Sequence, residues 1–195
     1  MIECKNILFN GEFKSLEYIE MNDVENSKIS ISSSQIQYHS FFCCIDCEIK
    51  LKQINQSLTL IKCNNSLIEW EEYNQTKTIK CNNCSNSEII TKSNDMSIQM
   101  IDCNDMMLNE NVEYEFIDMI RSNIITNGIK TKKLKIDSVI KPTQFDTTET
   151  KELLLYNLNN YPIITIFDSC EKLIEKKNNK SKNVIMKEIS IVNLQ

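Results

Sequence analysis

Nine cysteines stand at positions 4, 43, 44, 47, 63, 81, 84, 103 and 170 of this 195-residue chain. Two pairs carry the two-residue spacing that suits metal chemistry: Cys44 with Cys47 in "FFCCIDCEIK", and Cys81 with Cys84 in "IKCNNCSNSE". Such a spacing lets both sulfurs of a turn face one ion while backbone amides support the sulfurs. Two pairs supply the four thiolates of a tetrahedral zinc site, with Zn–S about 2.3 Å. Four thiolates leave no open coordination position. The spacing therefore predicts one structural Zn2+ per chain, held by Cys44, Cys47, Cys81 and Cys84. Cys43 with Cys47 is a second register for the first pair. A thioredoxin-type redox pair should open a helix after a strand, whereas strand-like sequence follows both pairs here. An iron–sulfur cluster takes the same ligands, but the spacing is unlike the usual ferredoxin runs. Cys63 and Cys103 read as small buried hydrophobes.

Other chemistry is thin. His39 is the sole histidine, so any Cys–His or Ser–His–acid arrangement would have to include it. It lies in a strand-like stretch and reads as a surface or satisfied strand histidine, with a place as fifth candidate ligand for the metal as the alternative. Two glycines leave no room for a glycine-rich phosphate loop. Glu71 and Glu72 are neighbours in a polar stretch, not facing acids. Hydrolase, kinase and dinucleotide chemistry are not expected.

The elements that would position the thiols follow from periodicity. "SKISISSSQIQY" alternates at Ile29, Ile31, Ile36 and Tyr38. "CEIKLKQINQSLTLIKC" alternates at Ile49, Leu51, Leu58 and Leu60 and predicts a hairpin turning near 55–57. "TKTIKC", "SEIITK" and "SIQMIDC" read as further short strands. "NENVEYEFIDMIRSNIITNG" places Val112, Phe116, Met119, Ile120 and Ile124 at helical spacing. Acids fill its first turns and Gly128 stands at a C-cap position, which predicts a helix. "KLKIDSVIK" reads as a strand, followed by a loop around Pro142. Two apolar runs flanking Asn159-Asn160 predict a second hairpin, and "NVIMKEISIVNL" a last strand. The expected fold is a β-rich α+β single domain over 1–195, with no internal repeat. Zinc-stapled hairpins fill 1–105, and a helix packed on antiparallel strands fills 106–195. With so few glycines, pairs such as Asn64-Asn65 and Asn82-Asn83 take over the turns, because Asn tolerates left-handed backbone.

The net charge of −5 argues against direct nucleic-acid binding, which favours a basic face. "KTKKLK" and "EKKNNKSK" are short and mixed, as solvated loops are. No apolar run approaches about 18 residues, so no membrane span is expected. The beginning, "MIECKNILFNGEFK", has no basic region followed by an apolar core. Cytoplasmic or nuclear residence is expected, where disulfides are disfavoured.

Taken as a unit, "CCIDCEIKLKQINQSLTLIKCNNSLIEW" resembles the HECT-like ubiquitin-conjugating-enzyme-binding family of ubiquitin-protein ligases. Members carry a first Cys-x-x-Cys, a strand pair and a Leu-Pro-Ser-x-x-Trp segment. Ser66 and Trp70 stand at similar places here. A second Cys-x-x-Cys, a helix and an apolar hairpin then follow in the family. Cys81 and Cys84, Phe116–Ile124 and "LLLYNLNNYPIITIF" come in that order. "KCNN" replaces the Leu-Pro, the Trp-Cys-His-like element between the pairs is missing, and the C-terminal cysteine-bearing segment has no counterpart. The resemblance implies a reduced member: a zinc-stabilised adaptor that binds a ubiquitin-conjugating enzyme and promotes ubiquitination, with Trp70 as an interface anchor. It also implies a role as scaffold or assembly factor for messenger-RNA 3′-end processing subunits. Yippee-like and Mis18-like zinc modules are the rival resemblance. A transferring thiol would have to be Cys103 or Cys170.

Overall fold

The structure is a computed structural model. It describes residues 4–139 apart from the segments 14–17, 33–37, 53–56 and 72–77 and positions 93, 95, 111 and 127. Beyond these it describes the strand backbones Thr143–Asp146, Glu152–Tyr156, Ile164–Phe167, Leu173–Glu175 and Ile189–Val192.

Tyr38–Phe42 is followed by a tight corner at 43–47 and then by Glu48–Lys52. Ser57–Ile61 leads through the same kind of corner to Leu67–Glu71, and Thr78–Asn82 to Glu88–Thr91. The first strand of each set joins a nine-stranded sheet. The second joins a six-stranded sheet. Each strand pairs in parallel with the equivalent strand one circuit earlier and one later, as Ile49 does with Ile29 and Ile68. The chain thus winds as a β-solenoid, and equivalent positions recur every 19 to 21 residues over the circuits from Leu8–Glu12 to Phe116–Ser122. From Glu113–Tyr114 onward a five-stranded sheet takes the second position.

The alternation explains the strands. Inward positions are apolar and buried: Ile29, Ile31, Ile49, Leu51, Leu58 and Leu60 are all at 0–1% exposure. Each circuit stacks like on like, so one continuous core runs along the axis. Burying such a side chain is worth roughly 1.5–3 kcal/mol.

Three expectations are corrected. The expected α+β architecture is replaced by parallel sheets, with no helix among the described residues. The predicted helix is the strand Phe116–Ser122, paired with Ser97–Ile101 on one side and Lys133–Val139 on the other. Ile117 and Met119 belong to the apolar core, Phe116 and Ile120 are half-buried, and Asp118 between them is buried beneath Lys135, whose Nζ lies 2.9 Å from its carboxylate. Two ready-made parallel neighbours outweigh helix propensity, and isoleucine fits a pleated surface well. Gly128 does have positive φ (71°), but it precedes the strand Ile129–Thr131 rather than capping a helix.

The hairpins are also replaced. Glu48–Lys52 and Ser57–Ile61 lie in different sheets, as do Glu152–Tyr156 and Ile164–Phe167. The partner of each strand is about one circuit away. The turn expected at Asn159-Asn160 lies outside the described residues, as does Pro142. Finally, an internal repeat exists where none was expected. The nine-stranded sheet crosses the anticipated 105/106 division without a break, since Ser97–Ile101 pairs with Phe116–Ser122.

Candidate functional site: the thiol column at the corner

Each corner uses two left-handed residues. The first is Asp23, Cys43, Lys62, Asn83 or Asp102; the second, three places on, is Asn26, Asp46, Asn65, Asn86 or Asp105. Asparagine and aspartate dominate because their side chains tolerate this region, as expected at Asn65 and Asn83. The residue after the first left-handed position turns inward. Those residues are Val24, Cys44, Cys63, Cys84 and Cys103, each at 3% exposure or less. The next residue faces outward and forms a single parallel bridge to the neighbouring circuit, in the order Glu25, Ile45, Asn64, Ser85, Asn104. Backbone bonds fix this stacking: Asn64 N–H donates to Cys44 O at 2.9 Å, and Ser85 N–H to Cys63 O at 3.0 Å.

Two rows of small side chains line the inside of the corner. In the first, thiols donate to backbone carbonyls of the previous circuit: Cys63 to Phe41 O at 3.5 Å and Cys84 to Leu60 O at 3.4 Å. In the second stand Ser27, Cys47, Ser66 and Ser87. Ser66 Oγ accepts the Cys47 N–H at 3.3 Å and donates to Asn64 O at 3.0 Å. Ser87 Oγ repeats this with Ser66 N–H (3.2 Å) and Ser85 O (2.9 Å). These bonds satisfy the corner amides of Cys47 and Ser66, while the Asn64 and Ser85 carbonyls also accept a backbone N–H from the neighbouring circuit. Cys47 occupies a serine position, and its Sγ donates to Ile45 O at 3.2 Å and Val24 O at 3.4 Å.

The two Cys-x-x-Cys motifs therefore differ in structure. Cys44 and Cys47 span the first and second corner rows. Cys81 lies in the nine-stranded sheet, in register with Leu60 and Met100, and only Cys84 reaches the corner. Cys63 stands between Cys44 and Cys84. Two circuits separate these last two, roughly 10 Å at about 4.8 Å per circuit. A tetrahedral zinc site needs sulfurs about 4 Å apart. Cys44, Cys47, Cys81 and Cys84 do not converge on one point, so they do not fit the zinc that their spacing predicts. Among the described residues no group of three or more His, Cys, Asp or Glu side chains is arranged to hold a metal ion. Cys43 is a left-handed, half-buried corner residue.

The thiols touch one another instead. Cys44 hydrogen-bonds Cys47 and Cys63, and these bonds and burial raise its pKa. The Cys44 S–H holds Cys47 down to about 7. The neighbouring thiols of Cys44 and Cys84 hold the Cys63 pKa below its ordinary value. Cys81 and Cys103 each hydrogen-bond Cys84, and both are raised by that bond and by burial.

The remaining candidates are buried. Trp70 is 1% exposed, in register between Leu51 and Thr91, so its indole belongs to the core. Its Nε1 and both His39 ring nitrogens have no hydrogen-bond partner among the described residues. Burial pushes His39 down to about 4. With neither ring nitrogen in hydrogen-bond reach of another group, His39 has no nucleophile beside it to activate among the described residues. Cys103 is fully buried with a raised pKa, the opposite of a reactive thiolate. Cys170 lies outside the described residues.

The stacking itself was the missed signal. Small residues at 24, 44, 63 and 84, followed three places on by 27, 47, 66 and 87, mark the corners of four successive circuits, and Cys103 continues the first row. Comparison with known families, with curated proteins and with solved structures finds no match to this chain.

Proposed function

We propose that this chain is a non-catalytic protein-binding scaffold, with the outer face of the nine-stranded sheet as its contact surface. The observation behind this reading is a row along that face. Phe42, Ile61, Asn82, Ile101 and Ile120 stack in register over successive circuits, and the four apolar members are half-buried rather than covered. Exposed Tyr18 and Tyr38 pair at the other margin of the sheet. Aromatic and aliphatic side chains in a row suit a protein partner with an apolar strip of its own. The acidic net charge (−5) does not suit a polyanion. The ubiquitin-conjugating-enzyme reading drew on a helix and hairpins that are strands in another arrangement, and the scaffold reading needs neither.

The test compares partner capture by the wild-type chain with capture by Ile61→Lys/Ile101→Lys and by Lys50→Ala/Glu69→Ala. Partners lost only with the first variant, at unchanged melting temperature, support the reading. Ubiquitin-conjugating enzymes or RNA-processing subunits among them would say which machinery is served. Equal capture by all three proteins sinks it.

A further inference from the structure

The nine-stranded face has a counterpart inside the fold that is independent of the proposed binding role. Four buried thiols form a column: Cys44, Cys63, Cys84 and Cys103 stand on successive circuits, stacked by the bridges Ile45–Asn64, Asn64–Ser85 and Ser85–Asn104 between the residues that follow them. The arrangement is wrong for an ion that needs four sulfurs around one point. It suits an ion that needs two sulfurs in line. With a metal–sulfur bond of about 2.3 Å as yardstick, a linear S–M–S unit spans roughly 4.6 Å. The circuit repeat of a parallel sheet is about 4.8 Å. Thiols one circuit apart are therefore spaced by the fold itself for two-coordinate binding, which soft monovalent ions accept and thiolates favour.

We infer that the column is a site for a soft monovalent metal ion, Cu(I) or its analogue Ag(I), held linearly between thiols of adjacent circuits, with Cys44–Cys63 and Cys84–Cys103 as the pairs. The balance is simple. One thiol of a pair loses its proton to solvent. The ion's single positive charge cancels the thiolate, and the neighbouring thiol donates a sulfur lone pair. The product is neutral, which an apolar core tolerates far better than a buried charge. No oxidation or reduction occurs. Entry requires a local opening of the corner or loading during folding, since these sulfurs are at 0–1% exposure.

The experiment titrates the fully reduced full-length chain with silver(I), during refolding and after it, in the presence of excess glutathione. Native mass spectrometry counts retained ions and a pH-stat counts protons. The expected result is at least one ion retained, with one proton released per ion and two sulfur neighbours by X-ray absorption. The double variant Cys63→Val/Cys84→Val, which removes one thiol from each pair, should lower retention at least tenfold, while Cys43→Ser leaves it unchanged. Valine is accommodated in this row, as Val24 shows. No ion held against glutathione, equal retention by Cys63→Val/Cys84→Val, or three or four sulfur neighbours in the wild-type chain would overturn the inference. The last measurement does not depend on any variant folding.

Discussion

On the six-stranded sheet the outward row is tied up in charge pairs. Lys28 Nζ lies 2.7 Å from Glu48 Oε2, and Lys50 Nζ lies 3.0 Å from Glu48 Oε1 and 3.1 Å from Glu69 Oε2. The bonds from Lys28 and Lys50 hold the Glu48 carboxyl below its ordinary range. On the nine-stranded sheet the corresponding stretch presents Phe42, Ile61, Ile101 and Ile120 half-buried. Both sheets arise from the same alternation and back onto the same core. The core needs apolar residues on every inward position and leaves the outward ones free. The difference between the outer faces is therefore not required for folding, and such a difference points to use.

Breaking the inside should cost far more than breaking either outside. Trp70→Ala removes the largest fully buried side chain, and about 3–5 kcal/mol of stability should go with it; chemical denaturation measures this. A binding defect in that variant without a loss of stability would mean that the indole is not core.

His39 makes the core sensitive to acid. Its pKa is about 4 folded and about 6.5 unfolded, so the unfolded chain takes up the proton first as pH falls. The contribution is complete above pH 6.5 and is lost progressively down to pH 4, by about 3 kcal/mol at about 1.4 kcal/mol per unit. His39→Leu, matching Leu58 in the next circuit, should remove this slope in a series of denaturation curves. A slope unchanged in that variant would assign the acid sensitivity to other groups.

Gly11 tests the N-terminal end of the stack. A Cβ there would sit 2.4 Å from Phe13 Cε2 and 2.9 Å from Phe9 Cε1. The two rings stack with centroids 6.3 Å apart, and Phe13 folds over the glycine. Gly11→Ala should displace Phe13 and cost about 1–2 kcal/mol. Fluorine-labelled phenylalanine resonances would report the ring's movement, and an unperturbed Phe13 signal would contradict this packing. Smallest of all, Lys50→Ala opens two exposed charge pairs and should leave the melting temperature nearly unchanged. A clear drop would mean that the charged face is part of the fold's support after all.

The strands themselves were legible. Ile29 with Ile31, Ile49 with Leu51, and Leu58 with Leu60 alternate as half-buried strands must, and asparagine did take the left-handed positions. Partners were not legible, because alternation says which side of a strand is buried and not which strand lies beside it. In a hairpin the partner is adjacent in sequence; here it is a circuit away. The helix expected over 112–124 failed for a related reason. Val112, Phe116, Met119 and Ile120 satisfy a helical period, but Ile117 and Met119 satisfy the strand period that the neighbouring circuits impose. The two Cys-x-x-Cys motifs looked equivalent because spacing alone does not show that Cys44 starts in the corner while Cys81 starts in the sheet. Aligning Cys44, Cys63, Cys84 and Cys103 instead of the motifs would have revealed the repeat.

The order of the thiols decides the architecture most directly. Selective labelling of cysteine, with proton–proton contacts measured between the β-protons by nuclear magnetic resonance, follows that order. The winding predicts contacts from Cys44 to Cys63, from Cys63 to Cys84 and from Cys84 to Cys103, with none between Cys44 and Cys84. A closed set of contacts among Cys44, Cys47, Cys81 and Cys84 that leaves out Cys63 would contradict the solenoid and restore the four-thiolate clamp.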